Sequence, residues 1–153
     1  MRARHWLALA GFVALCEAAG LAGSVFVADA IPAWYALLSK PPFAPPNWLF
    51  GPVWTLLYLM MGAAAWLVWR RAGAGALRAF WVQLALNAAW TPLFFGLRSP
   101  LAGLACIACM WLAIAWTIAG FWRVSRPAAL LLVPYLAWVS FAGVLNYAIW
   151  ALN

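Results

Sequence analysis

The sequence has 153 residues, 70% of them hydrophobic and only 7% charged, with a formal net charge of +7 and a mean hydropathy of +0.98. A soluble domain carries about 25% charged residues, and a nucleic-acid-binding surface must be basic and solvated. Both are excluded. The chain is expected to fold in lipid as an all-α integral membrane protein, a single five-transmembrane-helix bundle over residues 1–153.

A membrane helix needs roughly 20 mostly apolar residues, and five stretches supply them: 5–27, 48–69, 79–97, 101–123 and 127–150. The first follows Arg2 and Arg4, as a signal peptide would, but its apolar run outlasts the about 7–15 residues of a signal core. Glu17 sits at its middle, where a charge is costly and usually functional. A buried, hydrogen-bonded Glu17 is the plain reading, and a small proton-coupled transporter is the rival. The 28–47 connection gathers Pro32, Pro41, Pro42, Pro45 and Pro46 among Trp34, Tyr35 and Phe43. Proline fixes φ and removes backbone donors, which presets this loop towards extended geometry and lowers the entropy lost when it folds over the helix ends. Such a loop is a candidate lid. The later breaks fall at Arg70–Arg71 with Gly73 and Gly75, at Arg98–Pro100 and at Arg123–Pro127. The runs lack the ten-residue alternation of membrane β-strands.

Five spans put Arg2, Arg4, Arg70, Arg71, Arg78, Arg123 and Arg126 on one side and only Lys40 and Arg98 on the other. Positive residues stay inside, so the N-terminus is expected in the cytoplasm and the proline-rich loop outside. The absence of a cleavable signal and the Ala- and Trp-rich composition point to a bacterial cytoplasmic membrane. The excess charge also favours anionic lipid headgroups as neighbours, with no nucleic acid as partner.

Several segments carry a resemblance: Trp34-Tyr35, "KPPFAPPNW" (40–48), "GPVWTLLY" (51–58), "QLALNAAWTPLFFG" (83–96) and "PYLAWVSFAGVLNYAIW" (134–150). Together they resemble the TspO or translocator protein family of tryptophan-rich sensory proteins, also called the peripheral benzodiazepine receptor family, across all five spans. The resemblance implies a membrane receptor, usually dimeric, that binds porphyrins such as protoporphyrin IX or haem and other hydrophobic small molecules. It requires no cofactor. For some bacterial members it implies light-dependent porphyrin breakdown, here through Trp54 and Trp138. On this reading the rival function becomes a transporter of porphyrins or other hydrophobic compounds, proton-coupled through Glu17.

Depth arithmetic at 1.5 Å per residue finds a pocket for such a guest. Below the loop-side helix ends lie Trp54 at roughly 9 Å, Trp90 at 10 Å, Ala142 at 12 Å, Asn87 at 15 Å and Trp138 at 18 Å. Helical spacing extends these faces through Gly51 and Tyr58, through Gln83 and Phe94, and through Tyr135 and Asn146. With Trp34, Tyr35 and Pro45 from the loop, the expected ligand set is Trp34, Tyr35, Pro45, Trp54, Tyr58, Asn87, Trp90, Phe94, Tyr135, Trp138 and Ala142. Asn146 reads as an interhelical hydrogen-bonding residue. Trp6, Trp48, Trp69, Trp81, Trp122 and Trp150 near span ends read as interfacial belt, and Trp111 and Trp116 as packing.

Ala85 and Ala89 in the third span form a small-xxx-small pair opposite Gln83, Asn87 and Thr91, and small residues let membrane helices approach closely. A homodimer through the third helix is expected, with Ala19/Gly23 and Gly20/Ser24 in the first span as competing pairs. Cys106 and Cys109 make a C-x-x-C inside a span with no further ligand to complete a metal site. No metal is expected there. The pocket holds no general base or nucleophile constellation, which leaves hydrolysis and group transfer without support.

Overall fold

The computed structural model describes the chain from Arg2 to Asn153, with side chains from Arg4 onward. The Arg2 side chain, counted above with the cations of one face, lies outside the described residues. Hydrocarbon offers backbone amides no water to bond, which drives an apolar chain into helices. Among the described residues there is no strand.

Helix α1 runs from Arg2 to Ala33, 32 residues. That is about 48 Å, against roughly 30 Å of bilayer hydrocarbon. It therefore continues past Asp29 and Pro32, where the sequence suggested a break. Asp29 is exposed at this end, and Pro32 falls in the last turn, where its missing N–H frees a single carbonyl. The true connection is thus 34–46 rather than 28–47, opening with a 3-10 turn at Tyr35–Leu37.

Helix α2 spans Asn47–Ala72 and starts directly after Pro46, held extended at φ −63° and ψ 145°. It stops at Gly73, whose φ of 73° a side chain would disfavour, and whose N–H caps Trp69 O at 2.9 Å. Helix α3, Arg78–Thr91, has 14 residues and continues as a π turn, Pro92–Gly96. Pro92 has no N–H to keep the usual ladder, so the bonds step to five residues: Leu97 N to Pro92 O at 2.9 Å and Ser99 N to Phe94 O at 3.1 Å. Helix α4, Pro100–Val124, is capped by the Ser99 hydroxyl. Helix α5, Arg126–Leu131, is capped by the Ser125 hydroxyl, and after a turn at Leu132 the chain resumes as α6, Val133–Leu152. A serine accepting from the first turn with proline just behind it is a strong helix start.

Four stretches are each long and apolar enough to cross a membrane: Arg4–Ala33, Asn47–Ala72, Pro100–Val124 and Arg126–Leu152. The last joins α5 and α6 into one span. The fifth member of the bundle is α3 with its π turn, shortened as a regular helix by Pro92. The helices close a ring: α1 packs on α2 and α3, α3 on α4, α4 on α5 and α6, and α5 on α2. At the arginine-bearing end the interior is solid, with Met61, Ala64, Val68, Phe80, Ile114, Phe121 and Ala128 all buried. At the loop end α2 packs on α6 sparingly, through side chains such as Phe50 against Trp138 at 5.9 Å. The site lies in that opened half.

Candidate functional site

A cavity of about 520 Å³ fills the loop end between α1, α2, α3 and α6. Specific small-molecule pockets run from roughly 300 to 1,000 Å³. Helix α1 contributes its small residues, because Gly20 lies where the Tyr58 ring comes in and Gly23 where Thr91 does. Helix α2 supplies Phe50, Gly51, Trp54 and Tyr58, with Trp54 and Tyr58 rings 5.6 Å apart. Helix α3 supplies Asn87 and Trp90, and its π turn supplies Phe94, stacked on Trp90 at 5.1 Å. Ala142, Asn146 and Ile149 on α6 complete the wall.

A buried polar chain frames one side. The Tyr58 hydroxyl donates to Asn87 Oδ1 at 2.6 Å, Asn87 Nδ2 donates to Tyr135 Oη at 2.8 Å, and Tyr135 donates to Gln83 Oε1 at 2.8 Å. Three helices are tied by it. Asn146 accepts from Trp90 Nε1 at 3.4 Å and donates to Pro100 O at 2.7 Å, the interhelical role its sequence position suggested.

The loop covers the opening. Tyr35 is buried on the cavity wall, against Phe94 at 6.2 Å and Phe95 at 5.6 Å. Burial pushes its hydroxyl above the ordinary tyrosine range, which leaves it a neutral donor. Lys40 Nζ lies 4.8 Å from the centre of the same ring. The loop is held from the far end of the chain: Ser39 N donates to Asn153 Oδ1 and Asn153 Nδ2 donates to Ser39 O, both at 2.9 Å.

Of the residues singled out from sequence, Tyr35, Trp54, Tyr58, Asn87, Trp90, Phe94 and Ala142 come together on this wall. Four do not. Trp34 lies behind it, edge-on to Phe94 and Phe95, and Pro45 is half-buried in the loop away from the wall. Tyr135 is fully buried inside the polar chain. Trp138 turns to the gap between α2 and α6, lining a shallow groove with Val53, Leu57 and Phe141, and its buried Nε1 has no partner. Depth along a helix was fixed by counting residues; rotation about the helix was not. Sequence reasoning did not include Glu17, Gly20, Phe50 or Ile149 in the wall. The spacing of Glu17, Gly20 and Ser24, three and four residues apart, marks one face of α1 and was the available signal. Trp116, expected to pack, is 57% exposed. Among the described residues no three His, Cys, Asp or Glu side chains gather as a metal site, and the Cys106 thiol donates to Leu86 O.

Comparison with known proteins agrees with this architecture. The chain matches the TspO/MBR family over residues 12–151. It is 48% identical to the tryptophan-rich protein TspO of Chlorobaculum tepidum, covering 96% of each chain. It is 42% identical to protein CrtK of Rhodobacter capsulatus over 93% of this chain and 89% of that one, and 40% identical to the translocator protein of Homo sapiens over 97% and 91%. The motifs that suggested the resemblance thus sit in a full-length match, and the chain belongs to the TspO/MBR family.

Proposed function

We propose that this protein is a membrane receptor that holds a porphyrin, such as protoporphyrin IX or haem, in the cavity beneath the 34–46 loop. The observation that carries the reading is the wall itself. Flat aromatic faces from Tyr35, Trp54, Trp90 and Phe94 converge with small residues from α1 and α6 on one 520 Å³ space. A large planar apolar guest needs such walls and few polar contacts. A relative in Cereibacter sphaeroides, 39% identical, bears the name tryptophan-rich sensory protein, and a sensing role accords with a wall that is chiefly aromatic and apolar. The test is quenching of tryptophan fluorescence by protoporphyrin IX in detergent. Saturation at one porphyrin per chain is expected, and Ala142→Phe, which fills the cavity, should abolish it. Non-saturating quenching, or saturation indifferent to Ala142→Phe, sinks the reading.

Light-dependent porphyrin loss is the second reading, favoured by the place of the Trp54 indole on the wall. The excited ring would take one electron from the Trp54 indole, leaving an indole radical cation, and dioxygen, the oxidant, would add to the reduced porphyrin, so that its oxygen ends on the broken ring. Trp138 stands one ring away, through Phe50. Trp54→Phe should therefore slow bleaching more than Trp138→Phe, with affinity kept within about tenfold, ~1.4 kcal/mol. Equal bleaching in the double variant and the parent removes the photochemistry and leaves the receptor.

The same reading includes a homodimer through α3 and a bacterial cytoplasmic membrane, with the N-terminus inside and the loop outside. Ala85 is exposed on α3, whereas the competing glycines of α1 meet Tyr58 and Thr91 within the protomer. Cysteines placed at 85 and 89 should cross-link pairs of chains; trapping only from α1 positions overturns the assignment.

A further inference from the structure

The deep end of the cavity holds a polar atom that the bundle leaves unanswered. Glu17 lies on the α1 side of the wall, and its Oε1 is buried with no hydrogen-bond partner. It stands about 24 Å below the loop end of α1, counting sixteen residues from Ala33. Most polar groups that share the wall are already engaged. The Tyr58 hydroxyl is spent on Asn87 at 2.6 Å and the Asn87 amide on Tyr135 at 2.8 Å. The hydroxyls of Ser24 and Thr55 bond carbonyls of their own helices at 2.6 and 3.0 Å, and Trp90 Nε1 serves Asn146. Among the described residues no Lys, Arg or His lines the cavity.

A buried polar atom without a partner is uncommon in native proteins and calls for an ion, a water or a ligand. In hydrocarbon the demand is stronger, since nothing else there can donate. Among the described residues no donor reaches Glu17, whose side chain is part of the cavity lining, so the missing donor falls to the guest once the carboxyl turns its enclosed oxygen towards it. The mouth has the opposite character. Lys40 Nζ lies over the Tyr35 ring, which closes the cavity on that side. An acid at the deep end, and a cation just outside the mouth beyond the Tyr35 ring and bonded to Leu38 O at 3.1 Å, set the two ends of the cavity apart, although its sides are apolar.

We propose that the deep end of the cavity takes a hydrogen-bond donor of the guest, an ammonium or N–H on a planar aromatic molecule, with the Glu17 carboxyl as acceptor, while the guest's acidic groups stay at the mouth beside Lys40. The proposal rests on the cavity being a ligand site. It orients a guest: a tetrapyrrole enters with its carboxylates trailing. It also selects, because a carboxylate at the deep end meets the Glu17 oxygen and no cation. A planar amine of matching size is thus a better guest than the corresponding acid.

Two tricyclic probes of one ring system test this: 9-aminoacridine and acridine-9-carboxylic acid, titrated by their own fluorescence against detergent-solubilised protein, with empty micelles as reference. The parent should bind the amine at least tenfold more tightly than the acid, ~1.4 kcal/mol. Glu17→Ala should erase the preference, Glu17→Gln should reduce it below about threefold, and Glu17→Asp should keep part of it. Thermal midpoints of the empty variants should not fall, because no hydrogen bond within the protein is removed. If Glu17→Ala does not fold, the near-isosteric Glu17→Gln decides alone. Equal binding of both probes by the parent overturns the proposal, as does no binding of either, or a preference that survives in Glu17→Ala. Protoporphyrin IX titrated in parallel separates this from the receptor reading. Saturable porphyrin binding without an amine preference overturns the role of Glu17 and leaves the receptor. An amine preference that depends on Glu17, without porphyrin binding, upholds Glu17 and removes porphyrin as the guest.

Discussion

Replacing Tyr135 by phenylalanine removes one oxygen and leaves the ring, fully buried and 6.2 Å from Trp54, where it is. That oxygen accepts from Asn87 Nδ2 and donates to Gln83 Oε1, each at 2.8 Å. Its loss strands one donor and one acceptor on α3. Gln83 is 0% exposed and has only a weak further contact, 3.8 Å to Met61 Sδ. A stranded buried polar group costs about 1–3 kcal/mol. Hydrogen bonds between membrane helices average about 0.6 kcal/mol, because the unfolded chain in lipid also finds partners. Two groups stranded in a dry interior place the expected loss near 2 kcal/mol, roughly a 30-fold shift of the folding equilibrium. The assay is unfolding of detergent-solubilised protein by sodium dodecyl sulfate, followed by circular dichroism. Porphyrin affinity should change less than about threefold, since Tyr135 stands behind the wall. Adding Gln83→Met to Tyr135→Phe should cost less than Gln83→Met in the parent, because the partner it would abandon is already gone. Unchanged unfolding with porphyrin binding weakened tenfold would refute the reasoning and make Tyr135 a ligand contact rather than part of the frame.

Gly62→Ala should cost about 2 kcal/mol, because the new Cβ would stand 2.6 Å from Val13 Cα and 2.8 Å from its N, backbone that cannot yield without parting α1 from α2; Gly11→Ala, with nothing within 4 Å, should be silent in the same unfolding assay. Asn153→Ala removes both 2.9 Å bonds to Ser39 and should speed porphyrin dissociation about threefold, a cost of roughly 0.7 kcal/mol, without moving the melting temperature of the empty protein. Substituting Pro41, Pro42, Pro45 and Pro46 by Ser should likewise act through faster dissociation, as a stiff cover loses less entropy on closing than a flexible one. A fall in the stability of the empty protein instead would make the loop part of the fold.

Hydropathy alone was enough to find the spans, because twenty apolar residues in a row have few other fates. It overlooked that α1 carries Asp29 and Pro32 within the helix, since a helix end that leaves hydrocarbon tolerates both. The site was half legible. Depth follows from counting, and Trp54, Asn87, Trp90 and Ala142 meet at the wall as counted. Rotation about each axis was lost, because a helix apolar on every side has no polar stripe to set its phase. Trp138 and Tyr135 therefore lie at suitable depths on other faces. For Glu17 the sequence marked the cost of a mid-membrane charge and could not show what surrounds it.

The bonds between Ser39 and Asn153 join residues 114 positions apart, and they bear on the order of assembly. During synthesis α1, the loop and α2 emerge first, yet the residue that fastens the loop follows α6, and α5 is the element that shuts the ring against α2. Until those last segments arrive, Trp54 lacks the Tyr135 ring that stands 6.2 Å from it, and the proline-rich connection lacks the residue that fastens it. The cavity is accordingly the final product of biogenesis. A ribosome-bound chain halted before α6 should be helical and inserted, and still unable to retain a guest.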